Sequence, residues 1–178
     1  MGSRKLGSGH TISLMSDLQE ISNYVRGGSH AIVGCDLRET VASLVATVKA
    51  DAAESPMSVV SLALASTEQE ITQMIWNGCA NLVEQISALA LKSELAIDSC
   101  LAETMIRLSA EACQGIFFIT EFDRAVQVQQ LYTIEGKLRS AMQYADDVAV
   151  VLCFSDEVSI EICGPDRPFY RSFRRFWI

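Results

Sequence analysis

The sequence predicts an α/β fold: a three-layer α/β/α sandwich around a mainly parallel sheet of about five strands. Three observations predict it. Short, nearly continuous apolar runs recur at 30–34, 57–65, 115–120 and 148–154, as strands buried on both faces require; strands with one wet face alternate instead. Between the runs lie longer stretches with apolar residues three or four positions apart, the period of amphipathic helices. The two kinds of segment alternate, which places parallel strands in one sheet and helices on both of its faces.

Composition bounds the function. The 178 residues are 49% hydrophobic and 20% charged, enough for one domain with a genuine core. Residues 1–14, rich at first in Gly, Ser and basic residues, read as a flexible N-terminal segment, and 15–178 as the single domain. A net charge of −8 argues against a generic nucleic-acid binder, which needs a broad field of Lys and Arg. The six cysteines form no C-x-x-C pair and only two histidines accompany them, so the cysteines read as reduced, small hydrophobes, and no metal site is expected. No apolar stretch approaches the ~20 residues of a membrane helix. The expected setting is cytoplasmic, away from membranes.

Taken in order, Ser16-Asp17-Leu18-Gln19 has capping-box spacing and precedes Leu18, Ile21, Tyr24 and Val25, predicting a short helix that stops at Gly27-Gly28. A first strand at 30–34 leads through a tight turn to a helix over 40–49 with Val41, Leu44, Val45 and Val48 on one face. A second strand follows at 57–65. Thr67-Glu68-Gln69-Glu70 again has capping-box spacing and opens a long helix carrying Ile71, Met74, Ile75, Leu82, Val83, Ile86 and Leu89. A further helix is predicted over 94–112, another over 126–144, and a closing strand at Phe176-Trp177-Ile178.

The run Gly115-Ile116-Phe117-Phe118-Ile119-Thr120 ends abruptly in Glu121-Phe122-Asp123. A buried strand of this kind delivers its terminal acids to the sheet edge where open α/β folds put their sites, so Glu121 and Asp123 are the candidate catalytic pair. A solvated strand exit is their plain structural reading. Ser155 and Asp156 follow the fourth strand as a candidate polar pair, in ordinary turn chemistry. Cys35 stands near a helix start, but Asp36 beside it opposes a lowered thiol pKa. His30 heads a strand and reads as structural. The segment 167–178 holds four arginines, five aromatics and no acid, the composition of interaction hot spots; Arg171, Arg174, Arg175 and Trp177 are its candidate contacts, directed at a partner protein, at an acidic patch on another copy or, less readily given the acidic remainder of the chain, at nucleic acid through stacking aromatics and arginines on phosphate. A terminal strand with buried aromatics and wet arginines is the alternative.

With these pieces in place the chain resembles the P-loop NTPase core, in particular the AAA+ and STAND-type ATPases. The strand Ala31-Ile32-Val33-Gly34 with its turn and helix looks like a Walker A unit, and Phe117-Phe118-Ile119-Thr120-Glu121 looks like a Walker B strand. The run 148–155 looks like the sensor strand, and Pro168-Phe169-Tyr170-Arg171 like the segment before the final strand. The resemblance implies a strand order of 5-1-4-3-2. It also implies a phosphate site at Gly34, Arg38 and Thr40, with Glu121 at the place of the water-activating acid.

The motifs depart from the pattern. In G-x-x-x-x-G-K-[ST] the lysine reaches the outer phosphate oxygens and the hydroxyl holds magnesium. Here Gly34 is followed by Glu39 at the second glycine, Thr40 at the lysine and Val41 at the hydroxyl; a frame shifted by one puts Glu39 at the lysine. Asp36 and Glu39 crowd a helix N-terminus that should attract phosphate. Thr120 stands where the magnesium-coordinating Asp belongs. The resemblance thus implies a degenerate ATPase-like module, non-hydrolysing, with no cofactor or at most weak Mg-ATP binding, acting through a protein partner or as a homo-oligomer. Two alternatives remain: a surviving NTPase using Arg38 and Glu121, and an unrelated α/β enzyme using Glu121, Asp123 and Asp156.

Overall fold

The computed structural model describes residues 8–35, 38–86, 97–111, 113–123, 131–142, 148–154 and 173–178. In chain order the elements are α1 (Ser8–Arg26), β1 (Ala31–Gly34), α2 (Arg38–Asp51), β2 (Met57–Ser61), α3 (Glu68–Ile86), α4 (Ile97–Ala110), β3 (Gly115–Thr120), α5 (Leu131–Met142), β4 (Val148–Phe154) and β5 (Arg174–Trp177). The five strands form one sheet in the order β2-β3-β4-β1-β5, with every pairing parallel. This is the 5-1-4-3-2 order read from the other edge.

Every residue of β1, β3 and β4 is buried, which explains why their sequences do not alternate. Along β4, Val148, Val150, Leu152 and Phe154 enter the core beneath α3, α4 and α5. Ala149, Val151 and Cys153 enter the core beneath α1 and α2. Phe117 and Phe118 divide in the same way, each fully buried and each worth roughly 1.5–3 kcal/mol against exposure. Polar substitution at either would cost one whole layer its anchor.

Several boundaries differ from the sequence expectation for definable reasons. Helix α1 begins at Ser8, inside the segment 1–14 read as a flexible tail; the proposed cap Ser16 lies in its interior. Leu14 packs against the same core as Leu18, Ile21 and Val25, so the apolar stripe starts a turn earlier than the capping signal suggested. Strand β2 stops at Ser61 because Leu62 to Ala65 turns, with the Ala65 N–H donating to the Leu62 carbonyl at 3.0 Å. The second capping box is correct. Thr67 Oγ1 accepts the Glu70 N–H at 3.2 Å while Glu70 Oε2 accepts the Thr67 N–H at 3.1 Å and the Ser66 N–H at 2.7 Å, so three backbone donors are satisfied, one in the first turn and two just before it. Gly78 lets α3 lie close on the sheet, since a Cβ there would come within 2.4 Å of Phe117.

Candidate functional site at the C-terminal edge of the sheet

Because the strands are parallel, their C-terminal ends gather on one side. Helix α2 starts there with Arg38, after β1; Ser61 ends β2; Glu121 follows β3. Strand β4 lies between β1 and β3, so a group reaching from α2 to Glu121 must span its end. Arg38 does so: its guanidinium is 2.6 Å from Glu121 Oε1. The other carboxylate oxygen accepts the hydroxyl proton of Ser61. Ser61 Oγ in turn accepts the Ala63 N–H at 3.3 Å, which fixes the hydroxyl at the start of the turn.

Glu121 has φ 55°, a left-handed conformation that costs a side-chain-bearing residue about 1–2 kcal/mol. The turn it makes sends the chain back onto β4, where the Phe122 N–H donates to the Cys153 carbonyl at 3.1 Å. Phe122 is buried and its ring meets Phe154 edge-on, centroids 5.1 Å apart. Burial of that ring offsets the strain, and the strain sets the direction of the carboxylate. The ion pair itself contributes little: the Arg38 side chain is 84% exposed and that of Glu121 26%, conditions under which such pairs are worth about 0–1 kcal/mol.

The remaining predicted residues divide between this edge and other places. Gly34 ends β1, buried, with its carbonyl accepting the Ile178 N–H at 3.0 Å. Thr40 is half-buried in the first turn of α2. Thr120 is buried and its hydroxyl donates to the Val60 carbonyl at 3.4 Å. Asp123 is half-buried and acts on Cys153, whose thiol is pushed up first by burial, then by Cys35, then by Asp123. Cys35 is itself buried, so this corner holds two packed thiols. His30 accepts the Val150 N–H on Nδ1 at 3.1 Å, which gives it a place in the sheet. Asp36, Ser155, Asp156 and Arg171 lie outside the described residues.

The arginines of β5 separate. Arg174 pairs with Glu20 and stacks over Tyr24 and Phe176, 5.2 and 4.8 Å from their centroids, so it seals α1 to the sheet edge. Arg175 and Trp177 are exposed. Sequence reasoning missed Ser61: the signal available was its position near the end of a strand parallel to β3, but its separation of sixty positions from Glu121 hides the contact. Among the described residues, no group of three His, Cys, Asp or Glu side chains is placed to hold a metal ion, and no helix is long and apolar enough to cross a membrane.

No protein-family model and no curated protein matches the chain. Solved structures do. The ORC1 protein of Aeropyrum pernix, in complex with DNA, matches with a TM-score of 0.54 and 13% identity over 92% of this chain and 44% of its own. The ORC2 protein of Aeropyrum pernix, in ADPNP and ADP complexes, matches at 0.61 and 14% over 93% and 46%. Drosophila ORC bound to poly(dA/dT) DNA and Cdc6 matches at 0.62 and 13% over 95% and 29%. The chain thus spans less than half the length of each of these. At such identities the likeness is one of fold, and with the parallel five-stranded order it is the fold of the AAA+ P-loop NTPases, as seen in the ORC and Cdc6 proteins.

Proposed function

We propose that the chain is a P-loop-ATPase-like module that does not hydrolyse nucleotide and acts through contacts with other proteins. The observation that carries this reading is the Arg38–Glu121 ion pair across the end of β4. Arg38 is the sole basic residue between Gly34 and Thr40 in the sequence, and its guanidinium is engaged by the carboxylate that the resemblance puts in the role of water activator. A hydrolytic site of this fold needs the opposite division of labour, with cations on phosphate and a free carboxylate on water.

An exposed pair worth at most about 1 kcal/mol does not bar a ligand by its strength. What disfavours a polyanion is the set of groups left behind. Glu121 would stand unneutralised at the crevice, Glu39 occupies the first turn of α2, and Thr120, buried and uncharged, stands where a magnesium-binding carboxylate belongs. The residues present do not fit a magnesium–triphosphate group. A nucleic-acid partner is the second reading, favoured by the DNA in the ORC structures and by exposed Arg175 and Trp177, and opposed by the net charge of −8.

Calorimetric titration with Mg-ATP and Mg-ADP tests the proposal. No saturable heat up to millimolar nucleotide is the expected result. Saturable binding that disappears in Arg38→Ala, with turnover abolished in Glu121→Gln, would overturn it and establish the surviving-NTPase reading.

A further inference from the structure

The two edges of the sheet differ in kind. Strand β2 forms one edge and β5 the other, and all pairings are parallel, so a second copy in the same orientation can continue the sheet. On β2, the Pro56 carbonyl accepts from Ile116 at 2.9 Å and the Leu62 N–H donates to Thr120 at 3.0 Å, both across to β3. Alternate residues of a parallel strand turn their backbone groups to the same neighbour. Met57, Val59 and Ser61 therefore turn theirs outward.

The outward groups of Met57 are already capped. The side-chain amide of Gln85 accepts the Met57 N–H at 3.0 Å and donates to the Met57 carbonyl at 2.9 Å, while a bond of 2.7 Å to Asn81 Oδ1 steadies it. One amide thus does what a further strand would do, and among the described residues it does so only at the first residue of the strand. Val59, 45% exposed, is the next position of the open edge. On β5 the N–H groups of Arg174 and Ile178 go to β1, at 3.2 Å to His30 and 3.0 Å to Gly34. Arg175 and Trp177 consequently turn theirs outward, and the Trp177 side chain is 47% exposed.

Charge distinguishes the edges. Strand β5 carries Arg174 and Arg175 and no acid; Arg174 is matched by Glu20, whereas Arg175 has no ion-pair partner among the described residues. Beside β2 runs α3, which contains Glu68, Glu70 and Glu84 and no basic residue, and exposed Glu54 precedes the strand. The exposed side of α3 also bears Gln73, Asn77 and Asn81 at every fourth position before Gln85, a neutral polar row beside the strand. Side-chain direction agrees as well. Phe176 enters the α1/α2 core, so Arg175 and Trp177 project to the other face, the one that α3 covers at β2.

We propose that the β5 edge of one copy adds in parallel to the β2 edge of a second copy, with the outward backbone groups of Arg175 and Trp177 bonded to those of Val59 and Ser61, and the Arg175 guanidinium on the Glu84 side of α3. The inference rests on the protein-contact half of the function proposed above and names the partner as the chain itself. Such a contact joins two different surfaces, so it repeats from copy to copy by strand addition.

Sedimentation velocity without nucleotide, from micromolar to sub-millimolar protein, tests it. The wild-type chain is expected to gain mass with concentration and to lose it near 1 M salt, where the screening length falls to about 3 Å. Glu84→Arg and Arg175→Glu, both at exposed positions, should each weaken association about tenfold. Their equimolar mixture should regain it, because every contact is then native or charge-reversed. Val59→Pro removes an outward N–H without changing charge and should also dissociate the copies, with its thermal midpoint checked as a folding control. A wild-type chain that stays monomeric throughout overturns the proposal, as does association indifferent to both charge variants or unrestored in their mixture. Each such failure leaves the nucleotide titration unaffected, so the two readings fall separately.

Discussion

Replacing Gly78 by Ala sets two effects of opposite sign against each other in the middle of α3. Alanine favours a helix interior over glycine by about 1 kcal/mol. The added Cβ, however, would lie 2.4 Å from Phe117 Cε2, 2.5 Å from Val60 Cγ2 and 2.7 Å from Phe117 Cζ. Carbon atoms settle at about 3.5–4.0 Å, so the ring or the helix must retreat by about an ångström. Phe117 is fully buried in a strand with neighbours on both sides, and overpacking of this kind costs about 1–3 kcal/mol. The clash offsets or outweighs the helix gain, leaving a net loss of up to about 2 kcal/mol, which at this size lowers the midpoint by up to roughly 8 °C. Gly136 in α5 supplies the control, because a Cβ there meets nothing within 4 Å. Gly136→Ala should gain up to about 1 kcal/mol. Thermal and urea unfolding followed by circular dichroism reads both. A Gly78→Ala chain as stable as Gly136→Ala would refute the close approach of α3 to the sheet.

Two further outcomes follow from the titrating groups. Hydrogen bonds from Ser22 and Gln19 hold the Asp51 carboxyl below its ordinary 3.8, and those from Ser66 and Thr67 hold Glu70 below 4.5. Both pKa values are depressed by folding, so their stabilisation is complete above the ordinary values and is lost as pH falls through the folded ones; urea midpoints should decline below about pH 4.5, and less steeply in the Asp51→Asn, Glu70→Gln double variant. An equal decline in that variant would remove these two groups as the cause. Burial, with Cys35 and Asp123 adding to it, raises the Cys153 thiol, so an aromatic disulfide reagent should modify half-exposed Cys113 in the native protein and reach Cys153 only on unfolding. Equal native rates, mapped by mass spectrometry, would contradict the packing at the end of β4.

How much of this was legible in the sequence depended on the range of the interaction concerned. Strands β3 and β4 were, because a strand buried on both faces must be apolar at every position, and Gly115–Thr120 and Val148–Phe154 state that locally. The start of α3 was too, because Thr67 and Glu70 satisfy each other within one turn. The start of α1 was not: a capping pattern at Ser16 competed with an apolar stripe that began at Leu14, and burial against the α2 layer decided for the stripe. Glu121 was recognisable as a strand-end acid, but not its left-handed backbone, which Phe122 dictates by folding back onto β4.

By itself, then, the sequence determined the strands, most of the helices and the alternation that makes the sheet parallel, since each of these is a periodicity over neighbouring residues. Tertiary structure alone decided which charges meet. Arg38, Ser61 and Glu121 come from three crossovers of one sheet, and Gln85 reaches back twenty-eight positions to cap Met57. Among the described strands, the basic β5 and the β2 flanked by the acids of α3 become edges only because the strand order leaves these two outermost.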